Sequence, residues 1–491
     1  MTALITLVAY FALLFIVSTL SGHGGNDEFF RGRRQSPWFV VAFGMIGASI
    51  SGVSFVSVPG MVTTIDMTYM QMCLGFFFGY LLVAFVLLPV YYKYNLTSIY
   101  SFLGMRLGRK SYTTGSAFFI ISKLTGAAAR LYLACLVLQR FVFDSMGVPY
   151  SLTVVVVMLL IWLYTRKSGI RSIVWTDSIQ TLCMFVALVF ICIRLSDALG
   201  LDFRQTCQAV YDNPHSRMFE FADWTSRQYF WKQFLSGVFI VIVMTGLDQD
   251  MMQKNLTCKN LSDAKKDMCT YGIMFIPANL VFLSLGVLLT LYYAQTGTPL
   301  PEKSDDLLSS MVATGMLGEG VLVLFTFGIV ASAFSSADSA MTALTTSVCV
   351  DILRIEQKES RWSRHPETTR KAVHVVMMAI FLFCILVFKA VNNTSVIDAI
   401  YIIAGYTYGP LLGMFAFAIF TKRLTLDAAV PFVAVASPLI CFAVDTLADR
   451  MLGYKFGYEL LMLNGLITFA GLYAFSSRAG KPADLIINNG K

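Results

Sequence analysis

Long apolar runs of about twenty residues, with basic clusters in alternate connections, set the pattern of this chain. They begin near Leu4, Phe39, Thr68, Ala117, Ser151, Ile173, Phe230, Gly272, Val321, Val373, Val396, Ala428 and Leu460. At ~1.5 Å of rise per helical residue, each run spans the ~30 Å hydrocarbon core of a bilayer. The pattern predicts an all-α, polytopic membrane protein of about thirteen transmembrane helices. The first run, "ALITLVAYFALLFIVSTL", has no basic segment before it and is long for a signal peptide's apolar part, so it reads as a retained span.

The connections between runs carry the orientation. Basic residues gather in alternate loops: Arg31, Arg33 and Arg34; Lys93, Arg106, Arg109 and Lys110; Arg166, Lys167 and Arg171. The series continues with Lys254, Lys259, Lys265 and Lys266, then Arg354, Lys358, Arg361 and Arg364, and Lys422 with Arg423. Cytoplasmic loops carry the excess of Lys and Arg, so the N-terminus is expected outside and the C-terminus in the cytoplasm of a plasma (inner cell) membrane. The longest outside loop, "DFRQTCQAVYDNPHSRMFEFADWTSRQ", predicts short surface helices. No connection is large enough for an enzyme or kinase module, so no catalytic residues are expected.

Composition agrees. The chain is 57% hydrophobic and 13% charged over 491 residues, too few charges to cover a soluble protein of this size. The lipid bilayer is the expected surrounding and nucleic acid is not a partner. Ten cysteines form no C-x-x-C pair, and the four histidines stand apart without ligand spacing.

Polar groups inside apolar runs are costly and mark a pathway. Lys123, Arg130, Asp177, Asp248, Asp250 and Asp338 stand out. In "GASISGVSFVSVPG" small and β-branched residues mix with a proline, predicting a helix that unwinds in its middle. The freed carbonyls there suit a cation; close helix packing through small residues is the other reading. "SAFSSADSAMTALTT" is a membrane helix with one oxygen-lined face. At ~100° per residue, Ser332, Ser335, Asp338, Ser339, Thr342, Thr345 and Thr346 fall within one side, with Ser336 at its edge. Back-bonding to the same helix explains one or two such hydroxyls; seven beside an aspartate point to a hard cation, which prefers oxygen ligands. In "WTDSIQ" the aspartate reads equally as a ligand or a helix cap.

These segments resemble the sodium:solute symporters, a family of sodium-coupled sugar, proline, iodide and sialic acid carriers. "LTSIYSFLGMRLG", "GIRSIVWTDSIQ", "GLDQDMMQKNL", "SAFSSADSAMTALTTSVCVDIL" and "YGPLLGMFAFAIFTKR" each match a family signature, and the likeness covers nearly the whole chain. The resemblance implies an inverted five-plus-five-helix core with discontinuous first and sixth core helices and with solute and ions at the midplane. It divides the chain into an accessory helix and loop (1–36), a first repeat with the long outer loop (37–228), a second repeat (229–424) and two accessory helices with a tail (425–491).

The resemblance also implies a sodium site: the carbonyls of Gly47, Ile50 and Ser332 and the hydroxyls of Ser335 and Ser336. A second sodium site would match Asp177, Ser335, Asp338 and Ser339. Asp338 departs from the sialic acid carriers, which hold serine there; it tightens the ion or couples to H⁺. The solute-site positions carried over are Ser51, Ser54, Phe55, Tyr69, Cys73, Gly126, Arg130, Asp248, Tyr406 and Tyr408. The sugar carriers' Glu-Gln pair is Val53-Ser54 here, and the sialic acid carriers' carboxylate-gripping arginine falls on Gly126. Lys123 and Arg130 share roughly one face with Gly126, and each stands open to anion binding or to a structural role, as an ion pair with a residue such as Asp248 or by snorkelling to the interface. The expected function is sodium-coupled symport of a small polar organic solute (a sugar, sialic acid or other organic acid) by alternating access. Na⁺ is the coupling ion and the only metal, and no cofactor is expected. The alternatives are a sensor of the same fold, whose relatives carry a C-terminal kinase, and a proton-coupled or uncoupled carrier.

Overall fold

The computed structural model describes residues 34–477 except 166–169, 314, 316, 358 and 392–395, and in addition residues 8, 11, 12 and 16. The first core helix is broken, α1 (Trp38–Ser49) meeting α2 (Gly52–Ile65) at 58°. Next come α3 (Tyr69–Leu82), α4 (Arg109–Leu138), α5 (Tyr150–Thr165) and α6 (Ile170–Leu199). The long connection between the two halves carries α7 (Phe203–Tyr211). A second broken pair opens the second half: α8 (Phe230–Val241) runs on to Gly246 and meets α9 (Gln249–Asn255) at 70°. Then follow α10 (Leu261–Thr296), α11 (Glu319–Ser347), α12 (Pro366–Val391) and α13 (Val396–Phe420). The last two helices are α14 (Val430–Leu452) and α15 (Leu460–Ala474). Each half thus begins with a broken element and continues with four unbroken ones, the inverted five-plus-five plan.

Among the described residues, eight helices are long and apolar enough to cross a membrane, and ten if each bent pair is one span. The expected spans near Ser151 and Leu460 are apolar but shorter helices, Tyr150–Leu163 and Leu460–Ala474. Most of the run from Leu4 lies outside the described residues, so the count of thirteen is not reached on them.

Both breaks have local causes. The first falls at Ile50 and Ser51, whose backbone leaves helical geometry (ψ 80° and 177°), whereas Pro59 sits inside α2. The interruption is therefore placed by partners on α11, described below, rather than by the proline. At the second break, Asp248 caps α9 by accepting from the amides of Asp250 (2.9 Å) and Met251 (3.3 Å). Tyr91 and Tyr100 donate to the freed carbonyls of Gly246 and Leu247 at 2.7 and 2.8 Å. In hydrocarbon every such group needs a protein partner.

Helix α3 lies tightly on α8 because glycines face each other. A Cβ on Gly75 would stand 2.1 Å from the Phe234 carbonyl oxygen, and one on Gly237 2.3 Å from that of Met72. The long connection forms α7 with a capping box between Asp202 and Gln205, as the surface-helix expectation requires. It then returns to the ends of α2 and α3, where Asp66 holds His215 (2.9 Å) and Arg217 (3.1 Å).

Candidate functional site

The oxygen-lined face of α11 meets the break between α1 and α2. Ser332 Oγ donates to the Ile50 carbonyl at 2.7 Å, and Ser336 Oγ to the Ala48 carbonyl at 3.1 Å. Ser336 Oγ also lies 3.4 Å from the Ser332 carbonyl oxygen. These buried oxygens converge from two elements, and hydroxyls can turn their protons away to present lone pairs. A hard cation can use such a set. Among the α1 carbonyls near the break, the α11 hydroxyls reach those of Ala48 and Ile50. Gly47 lets α1 press on α6, since a Cβ there would fall 1.8 Å from Thr181 Oγ1.

Ser335 points elsewhere, donating to Asp177 Oδ1 at 2.6 Å. Ser339 Oγ lies 3.4 Å from Asp177 Oδ2 and 3.3 Å from Asp338 Oδ1. The four positions expected for a second ion are therefore brought together. A fifth residue joins them: Lys254 Nζ stands 2.7 Å from Asp177 Oδ2 and 4.0 Å from Asp250 Oδ1. Lys254 is 1% exposed, which corrects its assignment to a basic loop. It belongs to α9, inside the protein, and its spacing of four from Asp250 was the available signal. The lower hydroxyls of the stretch follow the bland explanation, because Thr345 and Thr346 bond back to Met341 and Thr342 carbonyls at 2.7 and 2.8 Å.

Beside these groups lies a cavity lined chiefly by α3, α4, α8 and α13. Its polar walls include Ser49, Lys123, Arg130, Thr245, Asp248 and Tyr408. Lys123 Nζ bridges Asp250 Oδ2 (2.6 Å) and Asp248 Oδ2 (3.2 Å), and Tyr408 donates to Asp248 Oδ2 at 2.7 Å. Lys123 thus follows the ion-pair reading. Arg130, half-buried in the same wall, makes no hydrogen bond or ion pair among the described residues. The two cations left open by spacing are separated by geometry.

Of the expected solute positions, Gly126, Arg130, Asp248 and Tyr408 line this cavity, while Ser51, Ser54, Phe55, Tyr69, Cys73 and Tyr406 do not. Ser51 sits in the helix break and Ser54 on the first turn of α2. Phe55 packs edge-on against Phe282 in the apolar core. Cys73 is fully buried. Tyr406 faces away on α13, and its carbonyl accepts from Asn464 at 3.0 Å. Tyr69 bonds Tyr401 at 2.9 Å; Tyr401 lines this cavity and Tyr69 a second one that also reaches Arg227 and Lys455. Tyr401 itself was missed; its helical spacing of seven from Tyr408 puts both on one face of α13.

The model of the sodium:solute symporter family matches residues 29–432. The chain is 25% identical to the sodium/sialic acid symporter SiaT of Proteus mirabilis, over 82% of this chain and 81% of that protein. It is likewise 25% identical to the sodium/sialic acid symporter NanT of Aliivibrio fischeri, over 82% of this chain and 79% of that one. Among solved structures, the substrate-bound outward-open state of a Na⁺-coupled sialic acid symporter superposes with a TM-score of 0.81 at 20% identity. That superposition spans 98% of this chain and 99% of the other, a likeness of fold.

Proposed function

Because the chain belongs to the sodium:solute symporter family, a family of carriers rather than enzymes, we propose that it imports a small organic acid together with Na⁺ by alternating access. The observation that carries the reading is the meeting of Ser332 and Ser336 with the broken α1–α2 backbone. An ion bound there ties α11 to the first core element. It favours the state with a formed solute cavity by as much as its affinities for the two states differ. The membrane potential adds ~2.3 kcal/mol per charge moved through 100 mV. Arg130, which lines the cavity and makes no hydrogen bond or ion pair among the described residues, supports a carboxylate-bearing solute. The relatives named above carry sialic acids, which belong to that class.

In this reading residues 37–424 form the moving core, with 1–36 and 425–491 as accessory segments. The basic loops support a cytoplasmic C-terminus and an outer N-terminus in the plasma membrane. The experiment is solute accumulation in proteoliposomes with and without an inward Na⁺ gradient, using N-acetylneuraminate and lactate as probes. Accumulation indifferent to the gradient sinks the symport reading. Ser336→Ala should raise the Na⁺ concentration for half-maximal uptake roughly tenfold, the loss of about 1.4 kcal/mol of ion binding, with protein abundance unchanged. An unaltered Na⁺ dependence removes Ser336 from the ion site.

A second reading concerns Asp338, which shares Ser339 with Asp177. If it exchanges a proton during the cycle, Asp338→Asn should flatten the dependence of uptake on pH between about 5.5 and 8, a range set by the reach of perturbed carboxylates. A profile identical to the parent's excludes proton coupling at this residue.

A further inference from the structure

We propose that the acid taken by this cavity is a monocarboxylate with an apolar body, rather than a polyhydroxylated one such as a sugar acid. The inference rests on the organic-acid symport reading above and names the kind of acid. It follows from which polar groups of the cavity still lack a protein partner. Ser49 bonds the hydroxyl of Tyr271, and Tyr80 bonds Tyr271 and Thr245. Ser122 donates to the Phe118 carbonyl at 2.6 Å, and Tyr401 pairs with Tyr69 at 2.9 Å. Tyr408 and Lys123 share Asp248 at 2.7 and 3.2 Å. Arg130 is the one polar side chain of the cavity without such a partner among the described residues.

The remaining lining is apolar. Phe76 and Phe275 pack edge to face, ring centres 5.4 Å apart at 76°, and Ile240, Val241, Met244 and Ile403 extend the surface. A planar guanidinium grips one carboxylate through two parallel bonds. Beyond that carboxylate, a solute hydroxyl must displace one of the bonds just described or lie unpaired against carbon, and an unpaired buried polar group is costly. An alkyl or aryl body breaks no such bond and takes its own apolar surface out of water. There is room for it beside Arg130. Gly126 lies about one helical turn before that residue, and a Cβ on Gly126 would meet nothing within 4 Å. The cavity thereby suits a different acid from that of the sialic acid symporters named above.

The test is ligand-induced thermal stabilisation of the detergent-purified full-length protein, titrated in NaCl and in choline chloride. The probes are butyrate and phenylacetate, their hydroxylated counterparts 3-hydroxybutyrate and mandelate, and N-acetylneuraminate. In NaCl, butyrate or phenylacetate should bind roughly 10- to 100-fold more tightly than its counterpart, the reach of a hydroxyl placed in an apolar pocket, and more tightly than N-acetylneuraminate. Hydroxylated acids that bind as tightly as their parents, or N-acetylneuraminate binding more tightly than both, overturn the inference and leave the symport reading standing. Gly126→Leu locates the body of the acid: it should weaken the favoured acid roughly tenfold or more, with the ligand-free Tm unchanged. An unchanged affinity places the acid elsewhere and also overturns the inference. If no acid stabilises the protein in NaCl, or if stabilisation is equal in choline chloride, the organic-acid symport reading itself fails, an outcome distinct from a reversed preference.

Discussion

Arg130→Gln should raise the KM for a carboxylate-bearing solute roughly 10- to 100-fold, with sodium binding to the solute-free protein unchanged. A hydrogen bond to a charged group is worth about 1.5–3 kcal/mol, and each 1.4 kcal/mol is about tenfold in affinity. The reasoning turns on which cation is available. Lys123 is held between Asp248 and Asp250 at 3.2 and 2.6 Å, so its charge is already matched. Arg130 lines the same cavity with its guanidinium unpaired among the described residues. Its planar fork fits a carboxylate through two parallel bonds, which a lysine cannot copy. Arg130→Lys should therefore fall between the parent and Arg130→Gln. Uptake kinetics of radiolabelled N-acetylneuraminate and lactate in proteoliposomes check this. If KM for both acids stays at the parent value in Arg130→Gln, Arg130 does not hold the solute.

Lys123→Met should cost about 3–5 kcal/mol of stability, the usual consequence of removing one partner from a buried ion pair. Lys123 is only 6% exposed, and its loss leaves Asp248 and Asp250 facing each other without a cation between them. The damage extends to the backbone, because Asp248 caps α9 at the break after Leu247. Thermal unfolding of the detergent-purified protein should show a large fall in Tm. Adding Asp250→Asn, which removes one of the stranded charges, should recover part of it. A Tm indistinguishable from the parent's would mean that Lys123 is not the charge that holds the break together.

The chain's own pattern revealed much of this architecture, and for local reasons. An apolar run must satisfy its backbone internally in a bilayer, so run length alone implies helices. A helical repeat places Ser332, Ser335, Ser336 and Ser339 near one face of α11 whatever lies opposite. The broken first element was legible as a mixture of small residues, hydroxyls and a proline, but not the residue at which it unwinds. The break falls at Ile50 because Ser332 donates to its carbonyl across the helix boundary, a contact between residues far apart in the chain.

Charge pairing was the least legible. Lys254 looks like one more lysine in a basic loop, yet it is buried against Asp177. Lys123 and Arg130 share a helical face and a charge, and only the position of Asp248 and Asp250 separates a structural cation from an available one. Tyr406 and Tyr408 stand two residues apart on α13, so they point to different sides, and just one reaches the cavity. By itself the sequence determined the helices and their oxygen-bearing faces, since these follow from periodicity within each segment, and the five-plus-five plan came from the resemblance of its motifs to the family. Tertiary structure alone decided which cation sits on which carboxylate. Buried charges interact over a few ångströms in space, and helical spacing carries no record of the helix that arrives from the other half of the chain.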